Sequence, residues 1–141
     1  MKLELLEETF TNEKSGEAVP GITIIIDGDL KRVLDTITRL DPTLKSYTGI
    51  IANALVQGIN KEMVKYKSDE LIIFEENLYN SQNNQKFKGV RVMITGKLRN
   101  TLDSQINSER LHSYSEAVST DFKIGLNNII NGCKGRVVKN E

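Results

Sequence analysis

The chain is poor in the residues that carry thiol, imidazole and metal chemistry. Its 141 residues include one cysteine, Cys133, and one histidine, His112. A single cysteine excludes an internal disulfide and a cysteine-rich zinc site, and no Cys–His pair or histidine cluster stands at metal-ligating spacing. The sequence also has no Gly-rich phosphate loop of the Walker or Rossmann type. We therefore predict a protein that is not an enzyme and that needs no metal and no cofactor.

Long apolar runs and net charge are missing as well. No purely aliphatic stretch is longer than that from Ile24 to Ile26, and the N-terminus lacks the pattern of a signal peptide. This predicts a cytoplasmic protein in a reducing compartment, without a membrane partner. The 19 Lys and Arg balance the 19 Asp and Glu, whereas a nucleic-acid binder commonly has a basic excess. Any site for a polyanion must therefore be local.

An internal repeat is the strongest signal that the sequence does contain. The second half repeats the first about 68 residues later, and a one-residue deletion in the second copy extends the match. Matched positions include Leu3 and Leu71, Gly21 and Gly89, Asp35 and Asp103, and Gly58 and Gly125. A duplicated unit of this size usually completes its core with the other copy. We predict one domain made of repeats 1–68 and 69–135, followed by a C-terminal tail, 136–141.

Each repeat is predicted to form two strands followed by two helices. A β-branched run, Gly21 to Ile26, is bounded by Pro20 and Gly28 and follows a first strand and a turn. The apolar period then changes from two to about 3.6, which is typical of an amphipathic helix. The predicted fold class is α+β, with two tandem ββαα repeats that form one pseudo-twofold domain.

The second helix of each repeat is predicted to begin at a hydroxyl residue, Thr48 or Ser115. Both helices contain a glycine, Gly58 or Gly125, although glycine is costly inside a helix. We expect the two helices to cross closely at these glycines. The alternative is that the two glycines coincide by chance.

Strand, helix and helix in this order, with the run Leu102-Asp103 and then Tyr114-Ser115-Glu116-Ala117-Val118, resemble the ribbon-helix-helix (MetJ/Arc-like) superfamily of DNA-binding proteins. The resemblance covers residues 21–63 and 89–131. It implies that one strand of each repeat pairs into an antiparallel ribbon that enters the major groove of DNA. The chain departs from the family pattern in the strand added before each unit and in its neutral charge.

The resemblance identifies candidate DNA-contacting residues on the ribbon. If Ile22, Ile24 and Ile26 face the core, their strand neighbours face outward, and the second ribbon strand alternates in the same way. Such side chains can bond base edges or touch a thymine methyl. The predicted base-contacting residues are Thr23, Ile25, Arg91, Met93 and Thr95. The alternative is a strand, exposed or covered, that binds no ligand.

The start of each second helix is a candidate phosphate site, because backbone N–H groups and the helix dipole favour an anion there. Ordinary helix capping explains the same hydroxyls equally well. The predicted phosphate-contacting residues are Lys45, Ser46, Tyr47, Thr48, His112, Ser113, Tyr114 and Ser115.

Two hypotheses of function follow from these features. The first is a non-enzymatic DNA-binding protein, either a transcriptional regulator or a mobile-element accessory factor, that reads an asymmetric duplex site. The second is a phage- or plasmid-type protein-binding module, such as an inhibitor or assembly factor. By resemblance, two such chains can also pair as a homodimer. A four-stranded sheet with the ribbon in its middle is too wide for a groove of about 12 Å and favours the second hypothesis.

Overall fold

The computed structural model describes residues 2–62 and 65–139, and its elements run in the order ββαα, then ββαα. Two single-turn 3₁₀ helices, Asn60–Glu62 and Ser68–Glu70, connect the two halves. The elements of the first half are β1 (Leu5–Thr11), β2 (Ala18–Ile26), α1 (Gly28–Leu40) and α2 (Tyr47–Ile59). Those of the second half are β3 (Ile72–Asn80), β4 (Gln85–Met93), α3 (Gly96–Glu109) and α4 (Tyr114–Lys139).

The fold is α+β, with one antiparallel sheet in the strand order β1-β2-β4-β3. The two inner strands pair about Thr23 and Arg91, and each outer strand forms a hairpin with its neighbour in sequence. Both predicted hairpins are therefore confirmed. Leu5 of β1 pairs with Ile24 of β2. The residues that stand 68 positions later, Ile73 and Val92, pair in the same way between β3 and β4. The two hairpins thus have the same register.

Local chemistry explains the hairpin turns. Gly16 closes the first turn with a φ of 71°, and Asn84, which stands 68 residues later, closes the second with a φ of 56°. Asparagine is one of the few residues with a side chain that adopts this left-handed conformation readily. In the first turn the Asn12 carboxamide oxygen also accepts the backbone N–H of Lys14 at 3.0 Å. The asparagine that replaces glycine in the second repeat therefore preserves the turn.

The second helices begin earlier than predicted. Ser46 caps α2 by accepting the N–H of Gly49 at 3.0 Å, and Ser113 accepts the N–H of Glu116 at 3.1 Å. The predicted caps Thr48 and Ser115 are wrong, because in each helix the serine two residues earlier makes the N-cap hydrogen bond, and Ser46 also has the extended backbone of an N-cap. Neither choice changes which face of the helix is apolar.

All four helices cover one face of the sheet, and the core lies between the two layers. It contains the inward side chains of the inner strands, such as Ile24 and Val92, and the apolar stripes of the helices. None of the described helices is both long and apolar enough to cross a membrane. The predicted tail starts inside α4, which extends to Lys139. Residues 1, 63, 64, 140 and 141, among them the end of the predicted segment 21–63 and of the tail, lie outside the described residues.

α2 and α4 cross with their backbones in contact at the two matched glycines. A Cβ atom on Gly58 would overlap the backbone carbonyl of Asp121, and one on Gly125 would overlap that of Ala54. Both glycines are buried. The predicted close crossing is confirmed, and the coincidence of two helical glycines has a steric cause.

Gly125→Ala should destabilise the protein by about 3 kcal/mol or more, because the helix backbones must separate to admit a methyl group. The matched control is Gly132→Ala in the same helix, where a Cβ meets nothing within 4 Å. We expect the control to be neutral or to stabilise by about 0.5–1 kcal/mol. Urea unfolding of both variants checks this, and equal effects of the two substitutions would contradict the close crossing.

Candidate interaction surface on the outer sheet face

The sheet face that points away from the helices is defined here as the outer face. Strand side chains alternate, and registered partners share a face, so the core residues of the inner strands fix the orientation of all four strands. The outer face consists of Leu6, Glu8, Phe10, Val19, Gly21, Thr23, Ile25, Ile72, Phe74, Glu76, Leu78, Asn80, Gln85, Phe87, Gly89, Arg91 and Met93, with Glu4 at one end.

Four of the five predicted base-contacting residues lie on this face, in its middle. Thr23 is 2% exposed and Ile25 is 8% exposed, while Arg91 and Met93 are partly buried. Thr95 lies beyond β4, at the N-cap of α3, and its side chain makes no cap bond. The alternation of the ribbon strands was predicted correctly. The flanking strands that cover Thr23 and Ile25 were not part of that prediction.

Arg91 is enclosed by the outer strands. Its guanidinium lies 2.7 Å from a carboxylate oxygen of Glu76 and 4.0 Å from one of Glu8, and it stacks over the ring of Phe10 at 4.4 Å. The ring of Phe74 lies on another side at 5.7 Å. A guanidinium held in this way is charge-compensated and sterically fixed. Reading a guanine edge would require it to leave these partners.

Two glycines let the outer strands close over the ribbon. A Cβ on Gly21 would lie 2.8 Å from the ring of Phe10, and one on Gly89 would lie 2.8 Å from a methyl of Leu78. These two glycines are matched in the repeat, and neither has a positive φ. Their small size is the sequence signal for a covered ribbon, because each faces a bulky side chain of the neighbouring outer strand.

Exposed apolar side chains stand at the periphery of the outer face. Leu6 is 42% exposed, Phe74 is 41% exposed and Ile72 is 52% exposed. Three of the five exposed large apolar residues among the described residues thus share this face. Grouped exposed apolar side chains are typical of interaction surfaces.

The predicted phosphate sites at the helix starts are occupied by internal bonds. Ser46 and Ser113 cap their helices, and the backbone N–H of His112 donates to Glu116 at 2.8 Å. Lys45 is exposed, while Thr48 and Ser115 are half-buried within the first helical turn. The capping alternative accounts for the two serines.

A tyrosine at each of these helix starts bonds to an aspartate of the preceding helix. The Tyr47 hydroxyl donates to Asp35 and the Tyr114 hydroxyl donates to Asp103, each at 2.5 Å. This bond raises the pKa of Tyr47, and the bonds that Lys31 and Tyr47 donate lower the pKa of Asp35. A carboxylate therefore lies beside each helix start, where it opposes the binding of phosphate.

A buried polar cluster links the two halves beneath the sheet and was missed by the sequence reasoning. Asp121 of α4 is 0% exposed, and one of its oxygens accepts bonds from Lys61 and Gln105, both at 2.8 Å. Lys61 also lies 3.2 Å from Glu109. In the sequence, Asp121 stands beside the apolar stripe of α4. It lies close to Lys61 only because α2 crosses α4.

The electrostatics of the cluster follow from burial and pairing. Burial raises the pKa of Asp121, although the bonds from Lys61 and Gln105 act in the opposite direction. For Lys61, burial lowers the pKa, but the bonds to Asp121 and Glu109 outweigh it and the net pKa is raised. The ammonium of Lys61 therefore compensates the buried carboxylate of Asp121. Among the described residues, no group of three or more His, Cys, Asp or Glu could hold a metal ion.

Comparisons with protein-family models, with curated proteins and with solved structures found no match to this chain. The resemblance to the ribbon-helix-helix superfamily therefore stays a prediction from the sequence.

Lys61→Met should destabilise the protein by about 3–5 kcal/mol at pH 7, because it leaves the carboxylate of Asp121 buried and uncompensated. The folded pKa of Asp121 is raised, so the folded state takes up a proton as the pH falls and the cost of its charge is relieved. The destabilisation should therefore be smaller at pH 5 than at pH 7.

Urea unfolding at both pH values measures this difference. The control is Lys123→Met, at an exposed position of α4, which should change the free energy of unfolding little at either pH. A loss from Lys61→Met that is the same at pH 5 and pH 7 would show that Asp121 does not carry the effect.

Proposed function

We propose that the chain is a single-chain pseudo-dimer of two ribbon-helix-helix-like units, each preceded by an added strand. The equal register of the two hairpins supports this, as does the central pairing of Thr23 with Arg91, which stand 68 residues apart. In this proposal, the two halves are related by a pseudo-twofold axis near that pair. The crossing of α2 and α4 at Gly58 and Gly125 lies at matched positions of the two units.

We propose that this protein is a non-enzymatic, cytoplasmic protein-binding module of the inhibitor or assembly-factor kind. Its contact surface is the outer face. The observation that carries the proposal is the position of β1 and β3, which flank the central ribbon and turn a narrow reading element into a broad face. The free, buried thiol of Cys133 agrees with a reducing compartment.

The width of the sheet argues against groove reading. Neighbouring strands lie ~4.8 Å apart, so the backbones of β1 and β3 are ~14 Å apart before side chains are added. The major groove is only about 12 Å wide. Entry of the β2–β4 ribbon would require both outer strands to separate from it.

The charge of the outer strands also argues against groove reading. β1 contributes Glu7 and Glu8 and β3 contributes Glu75 and Glu76, so each edge of the sheet carries two adjacent carboxylates. These groups repel phosphate backbones. Arg91, the only cation among the predicted base contacts, is already paired with Glu76.

DNA binding remains the second proposal, since one observation favours it. A cleft of about 660 Å³ between the β3–β4 hairpin and the start of α1 is lined by Lys31, Lys86 and Lys88, together with the carboxylates of Glu4 and Asp27. Lys31 and Lys88 are also paired with carboxylates, so Lys86 is the cation with no ion pair among the described residues of this cleft. An adjacent cleft contains Lys45 together with Lys88. The side of the molecule formed by these clefts, rather than the ribbon, supplies basic groups for a phosphate backbone.

Selection from random duplex DNA at low and moderate salt separates the two proposals. We expect no defined sequence to be enriched, and weak retention at low salt to be reduced by Lys86→Ala/Lys88→Ala. The matched variant Arg91→Ala should leave this retention unchanged, because Arg91 is enclosed on the outer face. Enrichment of a defined site that Arg91→Ala abolishes would replace the protein-binding proposal with ribbon reading.

Selection from a displayed library of protein fragments tests the outer face directly. Fragments that bind the wild type should lose at least about tenfold in affinity for Ile72→Ser/Phe74→Ser, which removes large exposed apolar side chains of the outer face. The control is Leu40→Ser, a similarly exposed apolar residue in the helical layer, which should bind as the wild type does. A selection that recovers only fragments insensitive to Ile72 and Phe74, or none at all, would sink the proposal.

A further inference from the structure

We propose that the partner segment that docks on the outer face is a basic amphipathic helix. This inference rests on the proposed protein-binding role of that face and adds the chemistry of its partner. The distribution of charge over the face, the position of its exposed apolar side chains and the absence of a described helix on this side of the sheet all favour such a partner.

The outer face carries more carboxylates than cations. Among its described residues the charged groups are Glu4, Glu8, Glu76 and Arg91. Glu76 and Arg91 neutralise one another at 2.7 Å, whereas Glu8 is 54% exposed and reaches Arg91 only at 4.0 Å. Glu4 is exposed at the same side of the sheet. The β1 half of the face is therefore negative, with the exposed Leu6 between two carboxylates.

The β3 half of the face is apolar instead. Ile72 and Phe74 are its most exposed apolar side chains, and they stand beside Met93 and Arg91 of β4. A complementary partner thus places apolar residues over β3 and β4 and lysine or arginine over β1. One amphipathic segment with a basic flank meets both demands.

A helix fits the dimensions of the face. Helices already cover the inner face, so a helix on the outer face would complete a three-layer α/β/α arrangement. Strands of seven to nine residues are ~23–30 Å long, which matches a helix of ~15–20 residues. The diameter of a helix with side chains, ~10–12 Å, spans most of the ~14 Å between the outer strands.

A second copy of this chain is the weaker occupant. Face-to-face pairing of two outer faces brings the Glu4 and Glu8 carboxylates of both copies to a shared low-dielectric interface, where like charges repel. The same carboxylates disfavour a nucleic acid. A basic segment is the occupant whose charge is opposite to theirs.

The test titrates the full chain with two designed probe peptides of about 18 residues. Both carry leucine at the same positions of one helical face, and they differ only in lysine or glutamate at the remaining positions. Isothermal calorimetry or fluorescence anisotropy gives the affinities for the wild type, for Ile72→Ser/Phe74→Ser, and for Glu4→Gln/Glu8→Gln. The matched charge control is Glu7→Gln/Glu13→Gln, because Glu7 lies on the opposite face of β1 and Glu13 lies in the hairpin turn.

We expect the lysine peptide to bind at least tenfold more tightly than the glutamate peptide. Its affinity should fall at least fivefold in Glu4→Gln/Glu8→Gln, stay unchanged in the charge control, and fall further in Ile72→Ser/Phe74→Ser. The advantage over the glutamate peptide should shrink as the salt concentration rises. Sedimentation of the unliganded chain should give a monomer.

Three results would overturn the inference. The lysine peptide binds no better than the glutamate peptide, its binding survives the loss of Ile72 and Phe74, or the chain self-associates through the outer face. Each of these leaves the proposed function standing if the fragment library still yields ligands that depend on Ile72 and Phe74. A library that yields no such ligands removes the proposed function itself.

Discussion

The backbone contact between α2 and α4 is the constraint on which the rest of the structure depends. Because Gly58 and Gly125 have no side chains, the two helices cross at a separation that no other residue permits. This crossing holds the helical layer against the inward side chains of β2 and β4, and the core between the layers is shared by both halves. It also brings Lys61 within 2.8 Å of the buried Asp121. Close packing and charge compensation therefore meet at the same helix pair.

The outer strands determine which side chains the sheet exposes. A bare two-stranded ribbon would present Thr23, Ile25 and Arg91 to a ligand, but here Phe10 and Leu78 fold over the glycines of the ribbon, and Glu76 and Phe10 enclose Arg91. What remains exposed is the set of side chains that the outer strands themselves contribute. The proposed binding surface is thus a property of the strands added before each unit.

Much of this architecture could be predicted from the sequence because its signals are local or periodic. The repeat, the hairpins, the alternation of β2 and β4 and the helix crossing follow from spacing and from glycine positions. The helix starts were placed two residues late, because several hydroxyls competed for each cap and only geometry selects Ser46 and Ser113. The enclosure of Arg91 and the Lys61–Asp121 pair depend on contacts between distant segments. Composition and periodicity do not encode these contacts.

Amide hydrogen exchange, resolved by residue, tests the central claim that the ribbon is permanently flanked. In the described structure alternate amides of β1 and β3 bond to the inner strands, so their opening free energies should lie close to those of β2 and β4. Protection of this kind at both edges would mean that the outer face is the surface that a partner meets. Rapid exchange throughout β1 and β3, with protection confined to β2 and β4, would contradict the account, because a narrow ribbon would then be free to enter a groove.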